Sequence, residues 1–186
     1  MIIIILIGVL GRKGSGKDTV SDYIVHKFNF EKMILAEPLK NACRELFNFS
    51  EEQLYGNLKE TDDPQWGISP RKVLQWLGTD VIRNRINELN PEIGNNFWVM
   101  LLKIKYLQKM DKNKDLKVIV SDVRFQNEID MIHQLGGKII KLTRPSINNM
   151  DAHESEKNID YLKGDIDIMN DGTLDELYKK VDKIVV

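Results

Sequence analysis

Three things are scarce in this sequence: cysteine, an excess of charge of one sign, and long apolar runs. The one cysteine, Cys43, cannot form an internal disulfide, which is typical of a reducing compartment. Basic and acidic residues number 27 and 28, so binding to nucleic acid through bulk positive charge is disfavoured. The apolar start, residues 1–10, falls far short of the roughly 20 residues of a transmembrane helix and lacks the flanks of a signal peptide. We therefore expect a cytoplasmic protein with neither a membrane nor a nucleic acid as direct partner.

What is present favours one α/β domain. A length of 186 residues with 42% hydrophobic residues is enough for a single core. Apolar runs typical of buried strands alternate with helical patterns, and this alternation predicts a parallel sheet with right-handed crossovers. The predicted strands are residues 2–10, 32–36, 118–120, 138–143 and 165–169.

The middle of the chain interrupts this alternation with helices. Ser50 and Gln53 form a capping-box pattern, and Ser69-Pro70 opens a longer helix. A further helix, from Asn95 or Asn96 to about Met110, is apolar on most sides and is predicted to be buried. We interpret residues 1–186 as one domain whose core, 1–48 and 115–186, carries a helical insert at about 49–112.

A glycine-rich segment lies between the first predicted strand and a helix that starts at about Lys17. Its sequence, residues 11–17, is Gly-Arg-Lys-Gly-Ser-Gly-Lys, which matches a Walker A phosphate loop in the required context. Glycines let backbone N–H groups turn inward around phosphate oxygens, the helix N-terminus adds a positive dipole end, and Lys17 reaches the outer phosphates. The alternative, a turn that only connects strand to helix, is disfavoured by this context.

Two carboxylates are candidate ligands for Mg²⁺. The position after Lys17 usually carries Ser or Thr, but here it is Asp18, followed by Thr19. An Asp carboxylate is a hard-oxygen ligand for Mg²⁺ or for a metal-bound water. The apolar strand at 118–120 runs into Ser121 and Asp122, as a Walker B strand does, so Asp122 is a second candidate.

A small-molecule kinase also needs a second anion site for its acceptor, built from Arg and Lys. Lys40 follows the second strand, and Arg71 and Gln75 are four residues apart on one helix face. Arg124 and Arg144 follow two strands at their carboxyl ends, where open α/β sheets bind ligands. Together these five residues predict a binding site for the acceptor's phosphate.

The acceptor of such a reaction needs little activation. A phosphate monoester has a second pKa near about 6, so it is largely ionised at neutral pH and needs no obligatory general base. Catalysis then consists of positioning two phosphates in line and neutralising their charge. We assign these catalytic roles to Lys17, Arg124 and Asp122.

Ten short sequence blocks follow one another along nearly the whole chain. They are Gly16-Lys17-Asp18-Thr19, Glu37-Pro38-Leu39-Lys40, Asp63-Pro64-Gln65-Trp66-Gly67, Ser69-Pro70-Arg71, residues 74–79, Asp122-Val123-Arg124-Phe125, Asn127-Glu128, Gly136-Gly137-Lys138, Arg144-Pro145 and residues 151–156. Taken together, these blocks resemble the phage and viral deoxynucleoside monophosphate kinase family. Because the resemblance spans the chain in order, it is more specific than the phosphate loop alone. Glu37, where the family leads us to expect Asp or a small residue, is a mild departure.

The resemblance implies a fold, a reaction and site residues. The implied fold is a P-loop NTPase three-layer αβα sandwich with about five parallel strands and a helical acceptor-binding insert. The implied reaction is ATP- and Mg²⁺-dependent phosphoryl transfer to a deoxynucleoside monophosphate, giving the diphosphate for DNA synthesis; a homodimer is left open. The implied ATP-binding residues are Lys13, Gly14, Ser15, Gly16, Lys17, Asp18 and Thr19. The implied substrate-binding residues are Leu39, Lys40, Arg71, Gln75, Arg124 and Arg144, with Asp151 and Ser155 in the lid or base-recognition region.

Two alternatives stay open at this point. One is a P-loop kinase for another phosphorylated small molecule, such as phosphomevalonate or dephospho-coenzyme A. The other is a non-catalytic nucleotide-binding protein. Among the large aromatics, Trp76 and Trp98 are expected to fill cores, whereas Trp66 could stack on a base.

Overall fold

The computed structural model describes residues 5–145 and 159–185. The chain divides into two compact units, one made of Met1–Leu35 with Leu101–Val186 and the other of Ala36–Met100. In the described ranges no helix is both long and apolar enough to span a membrane. The assignment of about 49–112 as a helical insert that binds the acceptor remains a prediction.

The first unit is built on a five-stranded parallel sheet in the order β2-β3-β1-β4-β5. Its strands are β1 (Leu6–Gly11), β2 (Glu31–Met33), β3 (Val118–Val123), β4 (Lys138–Thr143) and β5 (Ile166–Met169). The central strand, β1, pairs with β3 on one side and β4 on the other. All its residues are buried, as its continuous apolar sequence predicts. Since the strands are parallel, their carboxyl ends share one edge of the sheet.

Helices cover both faces of this sheet. Ile7 and Val9 of β1 share a core cluster with Ile24 and Leu177 of the first and last helices. Gly8 points to the other face, where a Cβ atom would lie 2.6 Å from Ile132 Cδ1 in the helix between β3 and β4. The predicted three-layer α/β class with five parallel strands is therefore confirmed. Within the described residues the α-helices are α1 (Lys17–Phe28), α2 (Glu37–Phe47), α3 (Glu51–Tyr55), α4 (Pro70–Gln75), α5 (Phe97–Lys112), α6 (Gln126–Gln134) and α7 (Leu174–Asp182).

The second unit is built of helices. It holds α2, α3, α4, the start of α5 and a π-helical segment, Trp76–Arg83, that continues α4. The predicted caps are confirmed: the Ser50 and Ser69 hydroxyls accept the N–H groups of Gln53 and Lys72. Trp98 is buried and its Nε1 donates to the Gly78 carbonyl at 2.8 Å.

Four local predictions were wrong. The helix predicted to be buried, α5, exposes Met100, Ile104 and Leu107 by 45–52%, since its apolar residues are too widely spread around the axis for one contact face to cover. The sequence also predicts a last helix capped by Thr173 and Glu176 with Leu174 pointing inward; the cap forms, but Leu174 is exposed because it is the first residue after Thr173. Trp76, expected in a core, is also exposed. The second strand ends at Met33 rather than at residue 36.

Candidate active site

The phosphate loop connects the central strand to α1 and is shaped by glycines with positive φ. Gly14 has φ 81° and Gly16 has φ 101°, conformations that side chains with a Cβ atom disfavour. The Ser15 N–H donates to the Arg12 carbonyl at 3.1 Å, which closes the turn before the helix begins. The loop therefore has the backbone shape that the Walker A pattern predicts, at the carboxyl edge of the sheet.

Two side chains of this loop are buried. The Lys17 side chain is buried against the loop backbone, and its Nζ donates to the Arg12 carbonyl at 2.7 Å. The Ser15 Oγ is buried and has no hydrogen-bond partner. An unsatisfied buried hydroxyl costs free energy, and a cation enclosed by backbone attracts anions. The loop is thus chemically suited to phosphate oxygens.

Two arginines that are predicted to bind the acceptor follow β3 and β4, the strands on either side of β1. Val123 of β3 pairs with Leu10 of β1, and Leu142 of β4 pairs with Gly11. Arg124 comes one residue after β3, and Arg144 one residue after β4 ends at Thr143. The first unit therefore brings Arg124 and Arg144 to the same sheet edge as the phosphate loop, as expected from the strand ends.

Sequence reasoning assigned no role to Glu128, which shapes the turn that carries Arg124. Its carboxylate is buried, and Oε2 accepts the N–H groups of Arg124 at 2.8 Å and Phe125 at 3.1 Å. These bonds satisfy two backbone donors at the start of α6. A Glu at the third position of a helix is the signal that could have found it.

The two candidate metal ligands sit in different surroundings. The Asp18 side chain is 88% exposed at the start of α1, and Lys32 Nζ lies 3.7 Å from its Oδ1. Asp122 is half-buried, and its Oδ1 accepts the Leu35 N–H at 2.7 Å, so it also holds the chain that follows β2. Over the described part of the chain, no group of three or more His, Cys, Asp or Glu side chains is placed to hold a metal ion. The metal roles of Asp18 and Asp122 stay predictions.

Residues from the last quarter of the chain also reach the phosphate loop. The Arg12 guanidinium pairs with the Asp160 carboxylate through two hydrogen bonds, 2.8 Å from Nε and 2.5 Å from Nη2. The Asn170 amide donates to the Ser15 carbonyl at 2.9 Å. The sequence carries no local signal for either contact, because the partners are 148 and 155 positions apart.

The other predicted acceptor residues lie in the second unit. Leu39 is buried, and a Cβ atom on Gly78 would meet its Cδ2 at 2.5 Å, so Leu39 fills the space beside this glycine. Lys40 Nζ lies 3.7 Å from the centre of the Tyr55 ring, a cation–π contact. Arg71 Nε lies 3.5 Å from a Glu60 carboxylate oxygen.

Four further residues complete the list of predicted contacts. Gln75 ends α4 and is half-buried. Trp66 is half exposed, but its Nε1 donates to the Phe47 carbonyl at 2.8 Å and its ring packs edge-on against Phe47. Asp151 and Ser155 lie outside the described residues.

Comparison with known families tests the resemblance seen in the sequence. The sequence model described as deoxynucleotide monophosphate kinase matches residues 5–65 and 49–181. The chain belongs to this family. Deoxynucleotide monophosphate kinase family membership confirms the predicted enzyme class, a kinase.

Two relatives have similar sequences. A protein of Acanthamoeba polyphaga mimivirus, assigned as a deoxynucleotide monophosphate kinase, is 42% identical over 181 residues, which cover 95% of this chain and 94% of the relative. The deoxynucleotide monophosphate kinase of Enterobacteria phage T4 is 34% identical over 119 residues, 64% of this chain and 45% of the phage protein. The predicted similarity of this chain to viral and phage proteins is thus confirmed.

One solved structure supports the fold of this family member. A crystal structure of a Thermus thermophilus protein matches with a TM-score of 0.52 at 17% identity and covers 98% of this chain and 97% of its own. At that identity the likeness concerns the fold only. It agrees with the parallel sheet and flanking helices described above.

Proposed function

We propose that this chain transfers the γ-phosphoryl group of ATP to the phosphate of a deoxynucleoside monophosphate in a Mg²⁺-dependent reaction. The observation that carries the proposal is the phosphate loop at the sheet edge where Arg124 and Arg144 follow the neighbouring strands, in a member of the deoxynucleotide monophosphate kinase family. An acceptor phosphate oxygen forms the new P–O bond as the bond to the β-phosphate breaks. The products are ADP and a deoxynucleoside diphosphate.

The loop fits the triphosphate of ATP on chemical grounds. Gly14, Ser15 and Gly16 form the turn, whose glycine conformations allow backbone N–H groups to face a phosphate, and Lys17 supplies a cation. The remaining proposed ATP contacts are Lys13, Asp18 and Thr19, at the two ends of this turn. In the transition state, charge is spread over the three outer oxygens of the transferred group, and the proposed role of Lys17 is to stabilise that charge.

The donor chemistry of the two acidic residues fits Mg²⁺. This ion keeps several waters and takes only one or two protein carboxylates beside the substrate phosphates, so a preformed cluster is not required. Asp18 and Asp122 would hold it, directly or through water. When bound, Mg²⁺ would neutralise part of the phosphate charge. Removal of Mg²⁺ with EDTA should stop turnover, and excess Mg²⁺ should restore it.

The proposed acceptor-binding residues are those that the sequence predicts: Leu39, Lys40, Arg71, Gln75, Arg124 and Arg144. Guanidinium groups match phosphate oxygens with two parallel hydrogen bonds, which suits Arg124 and Arg71 to the acceptor phosphate. Leu39 is apolar and suits the nucleoside rather than its phosphate.

The decisive experiment is an acceptor panel. Purified protein with ATP and Mg²⁺ is given each common deoxynucleoside and ribonucleoside monophosphate in turn, and ADP formation is measured with a coupled assay. We expect ADP only when a suitable deoxynucleoside monophosphate is present. A folded protein that turns over none of them would refute the proposal. Turnover with phosphomevalonate or dephospho-coenzyme A instead would identify a different kinase, and tight ATP binding without turnover would identify a binding protein.

The cellular setting follows from the product. Deoxynucleoside diphosphates are precursors for DNA synthesis, so we propose that the enzyme supplies this process. The viral and phage origin of the relatives favours the cytoplasm of a host cell as the place of the reaction. A homodimer and the absence of direct nucleic-acid binding remain predictions, and both are measurable by light scattering and by a filter-binding assay with DNA.

A further inference from the structure

The loop between β5 and α7 contacts the phosphate loop through one side chain, Asn170. Its Nδ2 donates to the Ser15 carbonyl at 2.9 Å. Ser15 itself is 1% exposed, so this carbonyl has little access to water as an alternative partner. The proposed reaction assigns no contact with either substrate to Asn170.

The position of Asn170 is held from both sides. Its backbone N–H donates to the Thr143 carbonyl at the end of β4, at 2.8 Å. Lys180 of α7 donates to the Met169 carbonyl at 2.6 Å and to Asp171 Oδ1 at 2.9 Å. These hydrogen bonds fix the backbone around Asn170 relative to β4 and α7, and they therefore restrict the position of its side-chain amide beside the phosphate loop.

The phosphate loop is shaped to let this amide approach. A Cβ atom on Gly16 would lie 2.7 Å from Asn170 Nδ2, closer than a carbon and an amide nitrogen can be packed. Gly16 also has φ 101°, so it satisfies two demands at once: a left-handed backbone and a close neighbour. The close contact with Asn170 therefore depends on glycine at position 16 of the loop.

The consequence for phosphate binding follows from peptide geometry. The Ser15 carbonyl and the Gly16 N–H belong to one planar peptide unit and point in opposite directions. A donor that holds the carbonyl on one side keeps the N–H directed to the other side. We propose that Asn170 is a positioning residue that orients the Gly16 N–H toward the phosphates of ATP, and this inference rests on the proposed function of the loop.

Two variants separate hydrogen bonding from simple space filling. Asn170→Leu keeps nearly the same volume but has no donor, and Asn170→Asp places an acceptor against the Ser15 carbonyl. The matched control is Asn113→Asp, because Asn113 is exposed in the same unit and its Oδ1 accepts the Asp115 N–H at 3.1 Å, which an Asp can also do. Melting temperatures confirm that each variant is folded.

The first readout is the dissociation constant of ATP, measured by calorimetry without acceptor. Loss of one net hydrogen bond corresponds to roughly fivefold weaker binding, so we expect about that change for Asn170→Leu, a larger one for Asn170→Asp and none for Asn113→Asp. The KM of the acceptor should stay at its wild-type value. Wild-type ATP affinity in Asn170→Leu would overturn the inference, and so would an equal rise in the acceptor KM.

The second readout uses the ligand-free protein and does not depend on the proposed reaction. Hydrogen exchange at the Gly16 and Lys17 amides should be faster in Asn170→Leu than in the wild type, with β3 and α6 unchanged as internal references. Wild-type protein that binds ATP but phosphorylates no monophosphate would refute the proposed acceptor and leave the role of Asn170 intact. Wild-type protein that binds no ATP would refute the proposed function, and unchanged exchange at these two amides would refute the role of Asn170.

Discussion

Arg12 and Asp160 form a two-point ion pair between the phosphate loop and the short helical turn Ile159–Tyr161. Lys141 of β4 donates to the Asp160 carbonyl at 3.0 Å, so the acidic partner is itself tied to the sheet. Hydrogen bonds from Arg12 hold the pKa of the Asp160 carboxyl below its ordinary value. A carboxyl with a lowered pKa stabilises the folded state above its ordinary pKa of about 4, and that contribution is lost as the pH falls through the folded-state value.

The Asp160→Asn variant tests this relationship. The two side chains are 31% and 58% exposed, so the pair contributes at most about 1 kcal/mol to the free energy of unfolding. We expect Asp160→Asn to be less stable than the wild type by up to that amount at neutral pH, and we expect the difference to shrink at an acidic pH below about 4, as the wild-type carboxyl begins to be protonated. Urea unfolding at the two pH values measures the difference. Asp111→Asn, which removes an exposed local pair with Lys114, controls for the change in net charge. A stability difference that is the same at both pH values would contradict the assignment.

Lys17→Ala should remove phosphoryl transfer without unfolding the protein. The cation is expected to stabilise charge that develops in the transition state, a contribution of about two to three orders of magnitude in kcat for one such group. Single-turnover rates with ATP and a deoxynucleoside monophosphate give the loss, and circular dichroism confirms the fold. Lys114→Ala, at an exposed lysine in the same unit, should retain wild-type turnover. Near-wild-type kcat in Lys17→Ala would exclude the proposed catalytic role.

Arg124→Ala should damage the use of the acceptor more than the binding of ATP. A charged hydrogen-bonding partner of a phosphate contributes about 1.5–3 kcal/mol, so kcat/KM for the acceptor should fall by about tenfold to a hundredfold or more. Calorimetry should return the wild-type dissociation constant for ATP. Arg85→Ala, whose exposed guanidinium pairs with Glu88 on the same short turn, is the control. A fall in ATP affinity with an unchanged acceptor KM would show that Arg124 contacts ATP rather than the acceptor.

Gly137→Ala should destabilise the first unit through crowding. A Cβ atom there would lie 2.7 Å from Ile132 Cγ2 and 2.9 Å from the Leu6 carbonyl oxygen, which belongs to the sheet backbone and cannot easily move. Overpacking of this kind costs about 1–3 kcal/mol. Gly136→Ala meets no atom within 4 Å and suffers only from its φ of +78°, which costs about 1 kcal/mol. Chemical denaturation compares the two, and a larger loss for Gly136→Ala would show that backbone strain outweighs contact with α6.

Features coded within a few neighbouring residues could be predicted well from the sequence. The helix Lys17–Phe28, the strand Lys138–Thr143 and the caps at Ser50, Ser69 and Thr173 all occur where the sequence patterns place them. Errors arose for apolar residues whose burial depends on packing against another element. The exposed side of α5 illustrates this, because periodicity states which residues share a face but not whether another element covers it.

Candidate site residues follow the same division. The phosphate loop and the arginines after β3 and β4 were predictable, since both depend on the chain near a strand end. Glu128, which holds the Arg124 backbone, is only three and four residues from its partners and was within reach of a capping pattern. Asp160 and Asn170 were not, because no pattern of neighbouring residues encodes a contact across most of the chain.

The amino-acid order alone determined the strand–loop–helix that carries the Walker A pattern, since glycine conformations, a helix start and one lysine act within a single short stretch. Tertiary packing decided which remote side chains support that stretch: the sheet order places β4 beside β1 and β5 beside β4, and so brings Asp160 and Asn170 to Arg12 and Ser15. The reason is physical. Local backbone preferences are set by neighbouring residues, whereas a hydrogen bond between distant segments exists only once the whole sheet has brought its strands together.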